Sequence, residues 1–211
     1  MKRKVFICVV LSVLILVGVF YYRNYGRVKN VFDEIYYSEL KLMNRGAGAT
    51  PNPSLANVEN IVKSPWGSDN KKWYDDGGVS EFYIEGILGE DKQLSVRFNK
   101  KELTVVLFYT INLDERVDMD FKYDYSVDTK VLYQIVEIYD GTLSDNRVKK
   151  GDEIYPYLEK YGISIDEVKR LSDEGLYDIF LTDWFEGNSE YSKFSMDDLG
   201  DIEIIKDSIL E

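Results

Sequence analysis

The spacing of apolar residues changes period several times along this chain, and each change predicts an element. Val5 to Tyr22 (VFICVVLSVLILVGVFYY) run 18 residues without a charge. At about 1.5 Å per residue the run reaches roughly 27 Å, close to the thickness of a bilayer core. A helical period follows, with Val28, Val31, Phe32, Ile35, Tyr36, Leu40 and Met43 on one stripe and Gly46 after it. That spacing predicts a helix over 28–45, packed on the domain or rising from the membrane. Gly46 to Pro53 (GAGATPNP) breaks the chain. Residues 54–78 offer a short helical turn around Val58–Ile61 and then a polar loop, SPWGSDNKKWYDDGG.

From Val79 the period becomes two. It predicts strands over Val79–Ile87, Gln93–Phe98, Leu103–Asn112, Met119–Val127 and Val131–Tyr139. The polar connections at 89–92, 99–102 and 128–130 are short enough for hairpins, so consecutive strands pair antiparallel. Past Gly151 the pattern turns helical again. Pro156 argues against a continuous helix over Asp152–Tyr161. Ser164 and Glu167 form an S-x-x-E capping box ahead of an apolar-periodic stretch reaching Phe185, with Gly175 as a candidate interruption. Asp201–Lys206 (DIEIIK) reads as a last strand at a sheet edge. The fold class is α+β: an antiparallel β-meander of about five strands with helices packed on one face, preceded by a single transmembrane helix.

Alternation also sorts the strands into faces. Met119, Phe121, Tyr123, Tyr125 and Val127 share one side, with Asp118, Asp120, Lys122, Asp124 and Ser126 on the other. Phe82, Ile84 and Leu88 oppose Glu81, Tyr83 and Glu85, while Leu94, Val96 and Phe98 oppose Gln93, Ser95 and Arg97. LTVVLFYTI (103–111) is apolar on both sides and reads as a central strand. Helices cover the greasy side, and the polar side is left as an open platform. Charged alternation often does no more than keep a sheet soluble. A docking surface is the functional alternative, since tyrosine combines contact area with a hydroxyl. Its partner-binding candidates are Glu81, Tyr83, Glu85, Asp120 and Asp124.

Charge and composition narrow the function. The 211 residues carry 26 Lys+Arg against 38 Asp+Glu, a formal −12, which repels phosphate backbones and excludes nucleic acid as a partner. Histidine is absent and cysteine occurs once, at Cys8, so His-dependent triads, Cys-ligated zinc and intrachain disulfides are excluded together. Carboxylate pairs could support glycoside hydrolysis, but among 38 acids they arise by chance. Asp118, Asp120 and Asp124 lack the glycine and distal glutamate of an EF-hand loop. Trp66 and Trp73 fit carbohydrate contact or, more simply, capping of a core. No enzyme, cofactor or metal site is expected.

The apolar run is read as an uncleaved anchor. It is longer than a signal peptide's core and ends without an A-x-A-like site. Lys2, Arg3 and Lys4 precede it and Tyr21, Tyr22 and Arg23 close it, as an interfacial belt would. Their abutment on the helix favours a cytoplasmic N-terminus and an extracytoplasmic domain at the cell membrane. Three of the 26 cations precede the run and no anion does, so the outer part holds 23 cations against 38 anions, a formal −15. The expected layout is a basic tail (1–4), a signal anchor (5–22), a juxtamembrane helix and loop (23–53) and an acidic α+β domain (54–211).

The basic N-terminus, the single anchor, the segment NVFDEIYYSEL (Asn30 to Leu40) and the tyrosine-rich acidic meander together resemble the TipC family of bacterial immunity proteins. The resemblance implies a membrane-anchored, outward-facing protein. It would neutralise a TelC-like toxin of type VII secretion, with an LXG domain, that attacks the cell-wall precursor lipid II. It further implies stoichiometric occlusion of the toxin domain, which a rigid pre-formed surface achieves at low ordering cost. A cell-envelope structural or sensory protein that contacts wall polymer or a membrane partner is the competing reading.

Overall fold

A computed structural model of the chain describes residues 11–18, 26–43, 72–76, 79–87, 91–99, 102–188 and 192–211. The period-two region forms strands β2 (Val79–Ile87), β3 (Lys92–Asn99), β4 (Thr104–Asp114), β5 (Val117–Ser126) and β6 (Val131–Asp140), paired antiparallel in chain order. These are the five expected strands, and their ends lie within a residue or two of the expected bounds.

The sheet is nevertheless larger than expected, with eight strands among the described residues. β1 (Lys72–Asp76) lies in the stretch read as a polar loop and pairs with β2, Trp73 opposite Phe82. KWYDD has no apolar alternation. Its pairing comes from the free backbone edge of β2, which a periodicity argument does not see. β7 (Val148–Lys150) adds antiparallel to β6 at Glu137–Tyr139. β8 (Glu203–Lys206), the expected edge strand, joins the other part of β6 in parallel at Val131–Gln134. Two short strands thus share the last edge.

The faces separate as the alternation demands. In β5 buried and half-buried residues alternate without exception: Val117, Met119, Phe121, Tyr123 and Tyr125 inward, Asp118, Asp120, Lys122, Asp124 and Ser126 outward. Register stacks the inward residues into rows such as Leu94–Tyr109–Phe121–Val136. β4 is the central strand of the meander.

The helical elements bury their apolar residues against these rows. α1 (Val31–Met43) contributes Val31, Phe32, Ile35 and Tyr36 to the core, so it packs on the domain. Its Phe32 ring lies 5.2 Å from Tyr125 and 6.3 Å from Phe180. A 3-10 turn (Gly151–Ile154) leads into α2 (Tyr155–Tyr161), with Pro156 in the first turn, where its missing N–H has no helical partner to lose. The expected break is therefore a change of winding at Tyr155.

Ser164 caps α3 (Ile165–Asp173) by accepting from the Glu167 N–H at 3.1 Å. The Glu167 carboxylate bonds Arg170, so only half of the capping box forms. The helix then widens into π geometry over Glu174–Leu181 before α4 (Thr182–Asn188). Gly175 sits in that widened turn and does not end the helix. A Cβ there would lie 2.5 Å from the Tyr109 ring, so glycine is what lets the helix touch the sheet.

Most of the expected anchor, 5–22, lies outside the described residues. Residues 11–18 of it are helical and exposed, Leu16 by 67%. No helix among the described residues is long and apolar enough to cross a membrane.

Candidate functional site

The face of the sheet opposite the described helices is ordered by its register. Asp124 stands between Val106 and Tyr133, Arg97 is opposite Val106, Tyr83 opposite Arg97 and Ile205 opposite Tyr133. With Lys72 of β1 opposite Tyr83, one row crosses seven strands among the described residues. The next runs Glu85–Ser95–Phe108–Lys122–Ile135, and the third Gln93–Thr110–Asp120–Glu137–Lys150. Glu81 falls in the row of Asn99, Thr104, Ser126 and Val131. All five candidates, Glu81, Tyr83, Glu85, Asp120 and Asp124, thus fall on one side of the sheet, the first three placed by backbone register.

The candidates are not close together. Three strand spacings separate β2 from β5, about 14 Å, and the four residues from Asp120 to Asp124 span about the same. The arrangement is a broad face, with no convergence of groups on a reacting atom. No described element packs on it.

Its carboxylates differ in character. Asp124 is half-exposed and pairs with Lys122 at 2.9 Å. Asp120 accepts from the Thr110 hydroxyl at 2.5 Å. Burial pushes its carboxyl above the usual range, against that hydrogen bond, and the negative charges of Asp118 and Glu137 push the same way. Asp118 is also raised, by burial and then by Asp114. Glu137 forms an ion pair with Lys150. Asp120 is thus a partly withdrawn group, and Asp124 is the more available of the two.

Alternation missed the apolar content of this face. Tyr133 is 43% exposed and its cross-strand partner Ile205 40%. Val106, Phe108 and Ile135 are half-buried beside them. The signal was present in LTVVLFYTI, whose two apolar sides explain the central strand and also give the open face a greasy middle.

The tyrosines of the other face have structural work instead. Tyr109 donates to Glu174 at 2.7 Å, Tyr123 to the Ser172 carbonyl at 2.5 Å and Tyr125 to Asp33 at 2.8 Å. Burial, first of several causes, pushes all three hydroxyls well above the ordinary tyrosine range, so they stay protonated donors. Glu174 also receives Lys92 at 2.7 Å and Arg170 at 2.8 Å. Burial raises its carboxyl, but the bonds from Lys92 and Tyr109 outweigh that and hold it below its usual value.

The segment that carries the resemblance proves to be a fold-building one. Asn30 Oδ1 accepts from the Asp33 N–H at 2.9 Å, capping α1. Asp33 is fully buried and pairs with Lys130 at 2.6 Å. Val31, Phe32, Ile35 and Tyr36 fill the core.

Comparison with known proteins gives concordant findings. The family model described as TipC immunity protein-like matches residues 2–207. No curated protein sequence matches the chain. Among solved structures, TipC2 from Streptococcus intermedius B196 is similar, with a TM-score of 0.64 and 18% identity over 84% of this chain and 95% of that one. At that identity the likeness establishes a common fold. The family match spans nearly the whole sequence and implies an immunity protein directed against a toxin. The chain therefore belongs to the TipC immunity protein-like family.

Proposed function

We propose that this protein is a membrane-anchored, outward-facing immunity protein that binds a secreted LXG-type toxin aimed at the cell-wall precursor and occludes it. The open face of the sheet is the docking surface. One observation carries the choice of face: the helices saturate the inner side, while the outer side keeps tyrosine, aliphatic and acidic groups in continuous rows. An apolar middle with a charged surround is the anatomy of a protein-binding patch. Family membership supplies the toxin as the kind of partner.

The test is the pair Asp124→Lys and Tyr133→Ala. Truncation of an interface tyrosine at a hot spot costs about 2 kcal/mol or more, so the double variant loses roughly a hundredfold in affinity for the cognate toxin domain. Both residues point away from the core, so the thermal midpoint stays within a few degrees. An unchanged dissociation constant by calorimetry would move the interface elsewhere. In cells, the full chain protects against toxin delivered from outside, and an equally expressed form lacking residues 1–22 does not. Equal protection by both would contradict the outward-facing reading.

A further inference from the structure

The root of α1 is gripped by the C-terminal part of the chain. The Val31 N–H donates to the Leu199 carbonyl at 3.0 Å and the Asp201 N–H to the Lys29 carbonyl at 2.9 Å. Between them Asn30 bridges Gly200, and Asn30 Nδ2 donates to the Asp201 carbonyl at 2.7 Å and to the Tyr125 hydroxyl at 2.8 Å. Gly200 has φ +84° and lies against the Lys29 carbonyl, so a side chain there would collide with the backbone it grips. Beneath this clamp Asp33 gathers the Lys29 N–H, the Tyr125 hydroxyl and the Lys130 ammonium, and Ser192 bonds Glu34 at 2.6 Å. Residue 29 is thus the point at which the chain becomes part of the rigid body.

That point has a definite place on the sheet. Tyr125 and Lys130 flank the turn between β5 and β6, and the Lys130 carbonyl accepts from Glu203 at the start of β8. At the other end of the same strands lie the Glu115–Arg116 turn and the loop 141–147, tied by the Gly141 N–H to the Arg116 carbonyl at 2.7 Å. The chain enters at one end of the strands, on the covered face, and the open face lies on the reverse.

We propose that residues 29–34 and 199–201 form a fixed mount. It stands the domain on the membrane by its β5–β6 turn, with the 115–116 and 141–147 end outward and the open face turned sideways. The proposal rests on the anchor reading given above. Seven residues from Tyr22 to Lys29 span at most about 25 Å. β5, with 10 residues, is about 34 Å long. A tether shorter than the strand blocks full inversion and keeps the β5–β6 turn within about 25 Å of the lipid headgroups, while the opposite end can stand as far as about 59 Å away, so averaged over tilts the turn is the nearer end. A partner on the open face is then held beside the bilayer, reached by lateral approach.

The test places a fluorophore at either end of the full chain. In a Cys8→Ser background, Thr129→Cys labels the exposed β5–β6 turn and Asp145→Cys the exposed far loop. Each protein is reconstituted into phosphatidylglycerol–phosphatidylethanolamine vesicles carrying a headgroup-linked acceptor. Energy transfer from position 129 should exceed that from position 145 by at least about twofold, given the roughly 34 Å between the ends. Equal transfer, or more from position 145, overturns the mount while leaving the anchor intact. Failure of the full chain to float with the vesicles removes the anchor reading and the mount together.

Discussion

Gly175 is a residue where two rules give opposite signs. Helix propensity alone says that Gly175→Ala stabilises by about 1 kcal/mol. The contact with Tyr109 says otherwise, since a methyl group 2.5 Å from the ring forces the helix off the sheet. Overpacking of that kind costs about 1–3 kcal/mol, so the variant should be destabilised in urea unfolding, and Tyr109→Leu should partly rescue it. A stabilised Gly175→Ala would mean that the helix rides higher on the sheet than described. Asp120 carries the clearest pH signature. Its carboxyl is raised in the folded protein, chiefly by burial. The stability it contributes is therefore present below the unfolded value of about 3.9 and lost as pH climbs through the higher folded value. Asp120→Asn keeps an acceptor for the Thr110 hydroxyl and removes the charge. It should be more stable than the parent at pH 7 and equal to it below about pH 3, as read from urea midpoints across that range.

Elements differ in how they earn their place. β2 to β6 follow from alternation, and α3 follows from its cap and apolar stripe. β1, β7 and β8 are short, charged strands that complete edges, and their partners supply the reason for them. β8 is the one with the largest consequence. It precedes Ile209 and Leu210, both buried, and its neighbour segment 199–201 grips α1. At about 1.5–3 kcal/mol for each fully buried aliphatic side chain, deletion of residues 203–211 removes about 3–6 kcal/mol, before strand bonds are counted. Domains of this size are stable by about 5–15 kcal/mol in total, so the truncated protein should unfold at much lower urea and be cut readily by protease. An unchanged midpoint would reduce β8 to a surface appendage.

For the whole molecule, a formal −12 acts at distances no single contact reaches. A field of that sign accelerates encounter with a basic surface and repels an acidic one. Raising salt from about 0.05 to 0.5 M shortens the screening length from about 14 Å to about 4 Å and should slow association with the toxin domain about tenfold, leaving dissociation nearly constant. Stopped-flow fluorescence separates the two rates. A salt-independent association rate would leave recognition to the apolar middle around Tyr133, Phe108 and Ile135.

The sequence by itself determined the class of fold, the five long strands, the two-sided character of the sheet and the side on which Asp120 and Asp124 fall. The reason is that periods of 2.0 and 3.6 are properties of the backbone, and burial of one face selects residues at those periods. It also carried the family resemblance in Asn30 to Leu40, although the work of that segment was hidden. Capping of α1 by Asn30 is local, three residues from Asp33, but the pairing of Asp33 with Lys130 joins positions 97 residues apart. Only the tertiary structure decided which edges gain β1, β7 and β8, that Asp120 is withdrawn while Asp124 is available, and that Tyr133 and Ile205 stand side by side. Each depends on which residues lie across a strand boundary, and that register is fixed by packing of the whole sheet against its helices.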